Sequence, residues 1–316
     1  MCIVAEQYDE EIHRSRVMGI VLGSIALGVL TGYPVGGFLY DFVNKAAPFV
    51  LIAVLVLVDL GLQLTFMNFK SSIIDESPHS ARVWTSLLSD HLILIILASI
   101  WLSSSAMSIL EPCLPIWLMS HVKPEKWQLG TVFIPDSVGY LVGTNFFGGI
   151  SYRVGRWRVA VAAMLLVGVS CLLVPTATTM SGLIGPHLGL GLGIGILDSA
   201  LVPLLASVVD SRHTAHYGSI YALQQTAVSL AYSLGPLLGG ELVKAMGFTW
   251  LMRCVGFINI IYCPVLILLS PNIGISKRLG FTDPIVSYSA TELSHKPCSK
   301  PHVEHYQRFY DPEDSD

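Results

Sequence analysis

Four acidic side chains stand where a chain seldom places charge. Asp59, Glu111, Asp136 and Asp198 each fall within a long apolar run or near its start. Asp198 is the most central. It lies in the stretch 189–225, GLGLGIGILDSALVPLLASVVDSRHTAHYGSIYALQQ, which begins as a run long enough to cross a bilayer and ends in a charged turn, Asp210-Ser211-Arg212-His213. An ionisable group at mid-membrane depth is costly and marks a functional site by default. Withdrawal from water disfavours the charged form of a carboxylate, so such a group can take up a proton from one side or pair with a cation. The competing reading is an acid paired with a nearby arginine or backbone group.

Glu111 lies in LEPCLPIW, where Pro112 and Pro115 free backbone carbonyls from the helix ladder. A kinked or broken helix beside a carboxylate is a common way to build an ion or substrate site. Tyr140, Tyr232 and Trp117 fall in runs that should face this region, where their rings could stack on a cation within about 6 Å; plain packing is the alternative. His213, next to Arg212 and Asp210, is either a proton relay or a loop charge. Arg153 and Arg156 in GGISYRVGRWR (148–158) form a basic turn that would hold helix ends and serve gating.

These groups need helices to position them. The chain has 316 residues, 53% hydrophobic and 13% charged, with mean hydropathy +0.63. Soluble domains carry about 25% charged residues, so the composition indicates a polytopic membrane protein. Eight apolar runs, near 17–38, 48–67, 92–119, 129–150, 159–176, 182–208, 216–240 and 247–270, are long enough to span a bilayer. They do not alternate as barrel strands would, and backbone groups in lipid must be satisfied internally. The expected fold is an all-α membrane bundle of about eight spanning helices. Lysine and arginine are concentrated on one set of flanks, among them Arg14, Arg16, Arg153, Arg156, Arg158 and Arg212, which places both termini in the cytosol.

The longest inner connection separates two spans from six. The chain therefore divides into an end of one bundle (1–68), a linker loop (69–91), a six-helix bundle (92–270) and a polar, disordered cytosolic tail (271–316). Many carriers are built from two six-helix halves joined by a long loop; on that reading four helices are missing before Met1. Gly28, Gly32 and Gly36 recur every four residues beside Pro34, a spacing that lets helices approach closely. Gly189, Gly191, Gly193 and Gly195 precede Asp198; close packing and a hinge are both open for them. The six cysteines read as small buried hydrophobes. No nucleophile–base motif, nucleotide loop or metal-ligand spacing is visible, which argues against an enzyme and against any cofactor. A net charge of −4 gives no reason to expect nucleic acid. Transport would draw on an ion gradient.

The sequence resembles the vesicular monoamine transporters of the major facilitator superfamily, and more distantly their acetylcholine relatives. The resemblance is carried by VMGI (17–20), SAMSILEPCLPIW (105–117), WQLG (127–130), YLVGTNFFG (140–148), VGRW (154–157), GLIGP (182–186), ILDS (196–199), VVDSRHTAHYGSIYA (208–222), LGP (234–236) and GFTWLM (247–252). It runs from about residue 10 to residue 270. It implies antiport of protons against serotonin, dopamine or other biogenic amines in the membrane of secretory or synaptic vesicles. It further implies proton coupling by Asp198, Glu111 and His213, and a substrate pocket of Tyr140, Tyr232, Glu111, Asn145 and the position of Gln225. Gating and structural roles fall to Arg153, Arg156, Asp210, Arg212, Gly32 and Pro34. The implied partners are a small cationic amine, protons, the bilayer, and either the missing N-terminal helices or a longer homologue.

The chain departs from the family at several places. The family has an aspartate where this chain has Gln225, and an amide hydrogen-bonds but exchanges no proton. Ser104 stands for a pocket asparagine, Val228 for a pocket phenylalanine, and a loop cysteine is absent around Lys123. Two rivals follow: a carrier of the same fold for another organic cation or drug, and a truncated, non-transporting chain that acts through partners.

Overall fold

The computed structural model describes Val4 and residues 11–66, 80–122, 126–212 and 217–268, and among them every regular element is helical. In chain order these are α1 (Glu11–Phe42), α2 (Ala47–Phe66), α3 (Ser80–Ser89), α4 (His91–His121), α5 (Lys126–Thr131), α6 (Ile134–Val154), α7 (Arg156–Leu173), α8 (Ile184–Arg212), α9 (Tyr217–Met246) and α10 (Phe248–Leu268). Two short 3-10 turns, Val174–Thr176 and Ser181–Leu183, join α7 to α8. The eight long helices coincide with the eight predicted runs. Six of them are long and apolar enough to cross a membrane. The other two, α6 and α9, carry more polar residues, among them Asp136 and Asn145 on α6 and Gln224 and Gln225 on α9.

The expected solvent of this bundle shows in its surface. Leu57 is 66% exposed, Phe49 71% and Ile261 71%. Large apolar side chains exposed in such numbers indicate lipid around them.

The most extensive helix pairing is α6 with α8, followed by α4 with α9, α7 with α8, α1 with α6, and α7 with α10. Gly139 faces Leu188 to Leu192, and Gly143 faces Leu192 to Ile196, so α6 and α8 run in the same direction. At Gly143 an added Cβ would lie 2.8 Å from both the Ile196 nitrogen and the Leu192 oxygen. Only glycine admits so close a backbone approach. On α8 the glycines alternate between neighbours: Gly191 and Gly195 face α6, while Gly189 and Gly193 face α7. The close-packing alternative is therefore the one realised in this arrangement.

Two apolar clusters form the core. One joins Met18, Ile93, Ile96, Leu197, Leu201, Val209 and Ile220 at the arginine-rich end. The other joins Leu110, Leu114, Leu190, Leu251 and Met252 toward the opposite end. Along α4, Ser99, Ser103, Ser105 and Ser108 return their hydroxyls to carbonyls three or four residues back. This satisfies them inside an apolar bundle.

Several expectations are corrected. The Gly28, Gly32 and Gly36 stripe packs against nothing among the described residues; the helix face it forms meets no neighbour there, and it is Gly19 and Gly23, further up α1, that lie on α6. Pro34 sits inside α1 without ending it. Pro112 and Pro115 likewise lie inside α4, which is not broken at them. The linker 69–91 is not all loop. Its last part is α3, whose Leu87 is buried and whose Trp84 is half-buried, and Asp90 then caps α4 by accepting from the Leu92 amide at 2.9 Å. Cys113, Cys171 and Cys263 are buried as expected, but Cys254 is exposed, on the outer face of α10. The tail 271–316 and His213 lie outside the described residues.

Replacing Gly143 with leucine should lower the thermal midpoint of the purified protein, whereas Gly28→Ala should leave it unchanged. Fluorescence-monitored melting in detergent checks both, and equal shifts would contradict the packing described.

Candidate functional site

The site is built where α6 and α8 touch. Gly195 lies directly on the backbone of Tyr140, 2.6 Å from its carbonyl oxygen to a would-be Cβ. This brings the Tyr140 ring within reach of the next turn of α8, and its hydroxyl donates to Asp198 Oδ2 at 2.9 Å. Asp198 is half-buried. A hydroxyl donated to a carboxylate is a charge-assisted bond, stronger than one between neutral groups.

A second carboxylate is held the same way. Tyr33 of α1 donates its hydroxyl to Glu111 Oε1 of α4 at 3.2 Å. Its ring stacks on Phe133 with centroids 5.5 Å apart. This bond links the first span to the six-helix bundle. Tyr232 of α9 lies within electrostatic reach of Glu111, Asp136, Tyr33 and Asp198 at once. It is nevertheless 42% exposed, since it lines an open face of the bundle. Asp136, in the first turn of α6, is 9% exposed, and its Oδ1 has no hydrogen-bond partner.

Cationic side chains are engaged elsewhere. Arg14 Nη1 donates to Asp210 Oδ2 at 2.9 Å, and the Tyr217 hydroxyl donates to the other oxygen of the same carboxylate. Arg156 reaches Ser207 at 2.6 Å, Ser15 at 3.0 Å and the Pro203 carbonyl at 3.4 Å. Arg212 pairs with Asp90 at 3.4 Å, and Lys244 with Glu241 at 2.8 Å. Among the described residues no lysine or arginine forms an ion pair with Glu111, Asp136 or Asp198. Inside an apolar bundle Glu111 and Asp198 thus accept from tyrosine hydroxyls, and Asp136 lies within electrostatic reach of Glu111. Such a set can bind protons or an organic cation.

The structure brings together most of the predicted residues and separates others. Asp198, Glu111, Tyr140 and Tyr232 share one region. Asn145 is exposed; its amide donates to the Leu141 carbonyl at 2.9 Å and packs on Gly23 of α1. Gln225 is exposed on α9. Ser104 is buried and Val228 half-buried. Trp117 is turned to a stack with His121 and Phe248, at 4.9 and 5.0 Å. Asp59 accepts from Gln63 at 2.8 Å on the exposed α2, apart from the cluster. Arg156, Asp210 and Arg212 form a layer at the arginine-rich end that joins the start of α1 to α7 and α8, while Arg153 is exposed. Met18 belongs to that layer too, receiving the Tyr221 hydroxyl at 3.5 Å on its sulfur.

Sequence reasoning missed Tyr33, Phe133 and His187. The signal for His187 was legible: a histidine inside the apolar run GPHLGLG. Tyr33 gave a weaker one, a hydroxyl-bearing ring in the middle of a span.

Asp210→Asn would leave the Arg14 guanidinium, which is 3% exposed, without its carboxylate. We expect a loss on the order of 2 kcal/mol, seen as a lower melting midpoint. Asp59→Asn on the exposed helix should change nothing measurable, and the same loss for both would contradict this assignment.

Comparison with known proteins agrees with this architecture. The chain matches the sequence profile of the Major Facilitator Superfamily over residues 1–222 and 96–298. It is 45% identical over 263 residues, 83% of the chain and 50% of the relative, to the human chromaffin granule amine transporter. It is 44% identical over 265 residues, 84% of the chain and 51% of the relative, to the human synaptic vesicular amine transporter. A probable vesicular acetylcholine transporter of Danio rerio is 33% identical over 273 residues, 86% of the chain and 55% of the relative. The chain spans about half the length of these relatives.

Proposed function

From its membership of the major facilitator superfamily, to which the chain belongs, we propose that it is part of a proton-driven antiporter that loads monoamines into secretory or synaptic vesicles. The observation that carries this reading is the Tyr140–Asp198 hydrogen bond at the α6–α8 contact, in a cluster whose carboxylates have no cationic side-chain partner among the described residues. An ammonium group supplies what the cluster lacks, and a proton supplies it equally well. The two compete for the same oxygens, and competition is the physical basis of antiport.

The geometry supports a sequence of steps. The amine pairs with Glu111 and Asp198, its ring system lying against Tyr232 and Tyr140. Contacts of α1 with the six-helix bundle then separate at one end and form at the other. At the arginine-rich end these contacts are Arg14–Asp210 and Arg156–Ser15; the positive-inside pattern puts that end in the cytosol, with both termini. At the opposite end the contact is Tyr33–Glu111. A proton from the acidic lumen that neutralises Glu111 weakens both its hold on the amine and its bond with Tyr33. The stripe of Gly28, Gly32 and Gly36 and the wholly exposed α2 would pack against the helices that complete the carrier.

A second reading, transport of another organic cation, is favoured by Gln225, an exposed amide where the vesicular family has an acid. In vesicles reconstituted with the complete carrier, Asp198→Asn should abolish serotonin uptake driven by a pH gradient. Uptake at the unmutated level would remove Asp198 from the mechanism. Competition by other organic cations, with serotonin itself poorly taken up, would favour the second reading.

A further inference from the structure

Asp136 and His187 lie on facing surfaces of α6 and α8, and nothing in the scheme above uses them. His187 is 0% exposed, and neither ring nitrogen has a hydrogen-bond partner. The Leu183 carbonyl one turn back is near but does not reach hydrogen-bonding geometry. Asp136 is 9% exposed with Oδ1 unpartnered. Burying polar atoms without partners destabilises a fold, so two such side chains on touching helices call for a use that offsets the cost.

Their register is set by their neighbours. His187 lies edge-on to Phe133, ring centroids 6.1 Å apart. Asp136, three residues on, faces Gly191, four residues on from His187, and Oδ1 is 2.8 Å from where a Gly191 Cβ would stand. His187 thus lies one turn before Gly191, the residue of α8 that meets Asp136.

A groove of about 350 Å³ opens beside them at the end opposite the arginines, lined by residues adjoining both. It is lined by Gln128, Thr131, Pro135, Met180, Leu183 and their neighbours, none of them titratable. Leu183 is one turn from His187, and Pro135 adjoins Asp136. On the inner side Asp136 is within electrostatic reach of Glu111. Tyr33 from α1, Tyr140 on α6 itself and Tyr232 from α9 also lie within electrostatic reach of Asp136. From α7 the Ser170 hydroxyl lies against Gly189, and the Cys171 thiol belongs to the same buried cluster as Phe133, Leu183 and Leu190.

We propose that His187 and Asp136 form a second protonation site, the first to be met from the groove, which relays protons to Glu111. A proton taken from water by an imidazole nitrogen passes to the Asp136 carboxylate as Asp136 gives its own to Glu111, so charge is conserved at each transfer. The relay's role in transport rests on the antiporter reading. In that role Asp136 supplies an exchangeable proton that Gln225 cannot.

The test reads protonation directly. The purified chain in phosphatidylcholine nanodiscs is stepped in pH, and infrared difference spectra follow the carbonyl stretch of protonated carboxylic acids. Asp136→Asn should remove one titrating band, Glu111→Gln should leave that band while moving its midpoint, and His187→Gln should also shift the midpoint. An unchanged set of bands in Asp136→Asn overturns the proposal. As a measurement that needs no acidic variant to fold, the ¹⁵N resonances of wild-type His187, identified through His187→Gln, should move as the pH is stepped down; a His187 signal that does not move at any pH at which the protein stays folded overturns it too. Serotonin uptake by the complete carrier, measured in parallel, separates the two claims: titration of Asp136 without uptake upholds this site and removes the antiporter reading.

Discussion

Gly139, Gly143, Gly191 and Gly195 let the backbones of α6 and α8 touch, and the positions of Asp136, Tyr140, His187 and Asp198 follow from that contact. Two parallel helices packed through ordinary side chains stand about 8–10 Å apart. At that separation the Tyr140 hydroxyl would not sit on Asp198 without displacing the ring. In a membrane the hydrophobic effect does not drive helices together, so close van der Waals contact between small residues is what holds such a pair. One set of glycines therefore provides both the stability of the bundle and the placement of its acids.

The acids in turn link the two parts of the chain. Tyr33 belongs to the first span, Glu111 to the six-helix bundle, and their hydrogen bond crosses between them. The Arg14–Asp210 pair crosses between the same two parts at the other end. Between these two polar contacts α1 lies closely on α6 through Gly19 and Gly23, and its Met18, Leu22 and Ala26 are buried. The first span is therefore fastened by an apolar face as well as by polar groups, and the glycine-packed α6–α8 pair remains the most extensive helix contact.

Much of this was legible in the residues. Eight runs of sufficient length fixed the long helices, because lipid leaves the backbone no other solution. Asp198 and Glu111 stood out as charges in apolar sequence, and the aromatic residues Tyr140 and Tyr232 fell near them as expected. What sequence could not supply was pairing. Gly28, Gly32 and Gly36 have the spacing of a packing face, yet spacing alone does not say whether a partner is present, and among the described residues none is. Trp117 looked equally suited to the site but found Phe248 and His121 first, a choice made by the relative rotation of α4 and α10. Tyr33 went unnoticed because a tyrosine in a span usually anchors or packs, and only its position against Phe133 and Glu111 gives it a polar task.

If a cation and a proton compete for the same tyrosine-held carboxylates, as proposed, amine binding displaces protons. Proton release on amine binding tests it most directly. Calorimetric titration of the purified protein with serotonin, repeated in buffers of different ionisation enthalpy, gives the number of protons released per amine bound. Competition gives a net release of protons, diminished when Glu111 is replaced by glutamine. Binding of amine with no proton release at any pH would contradict it.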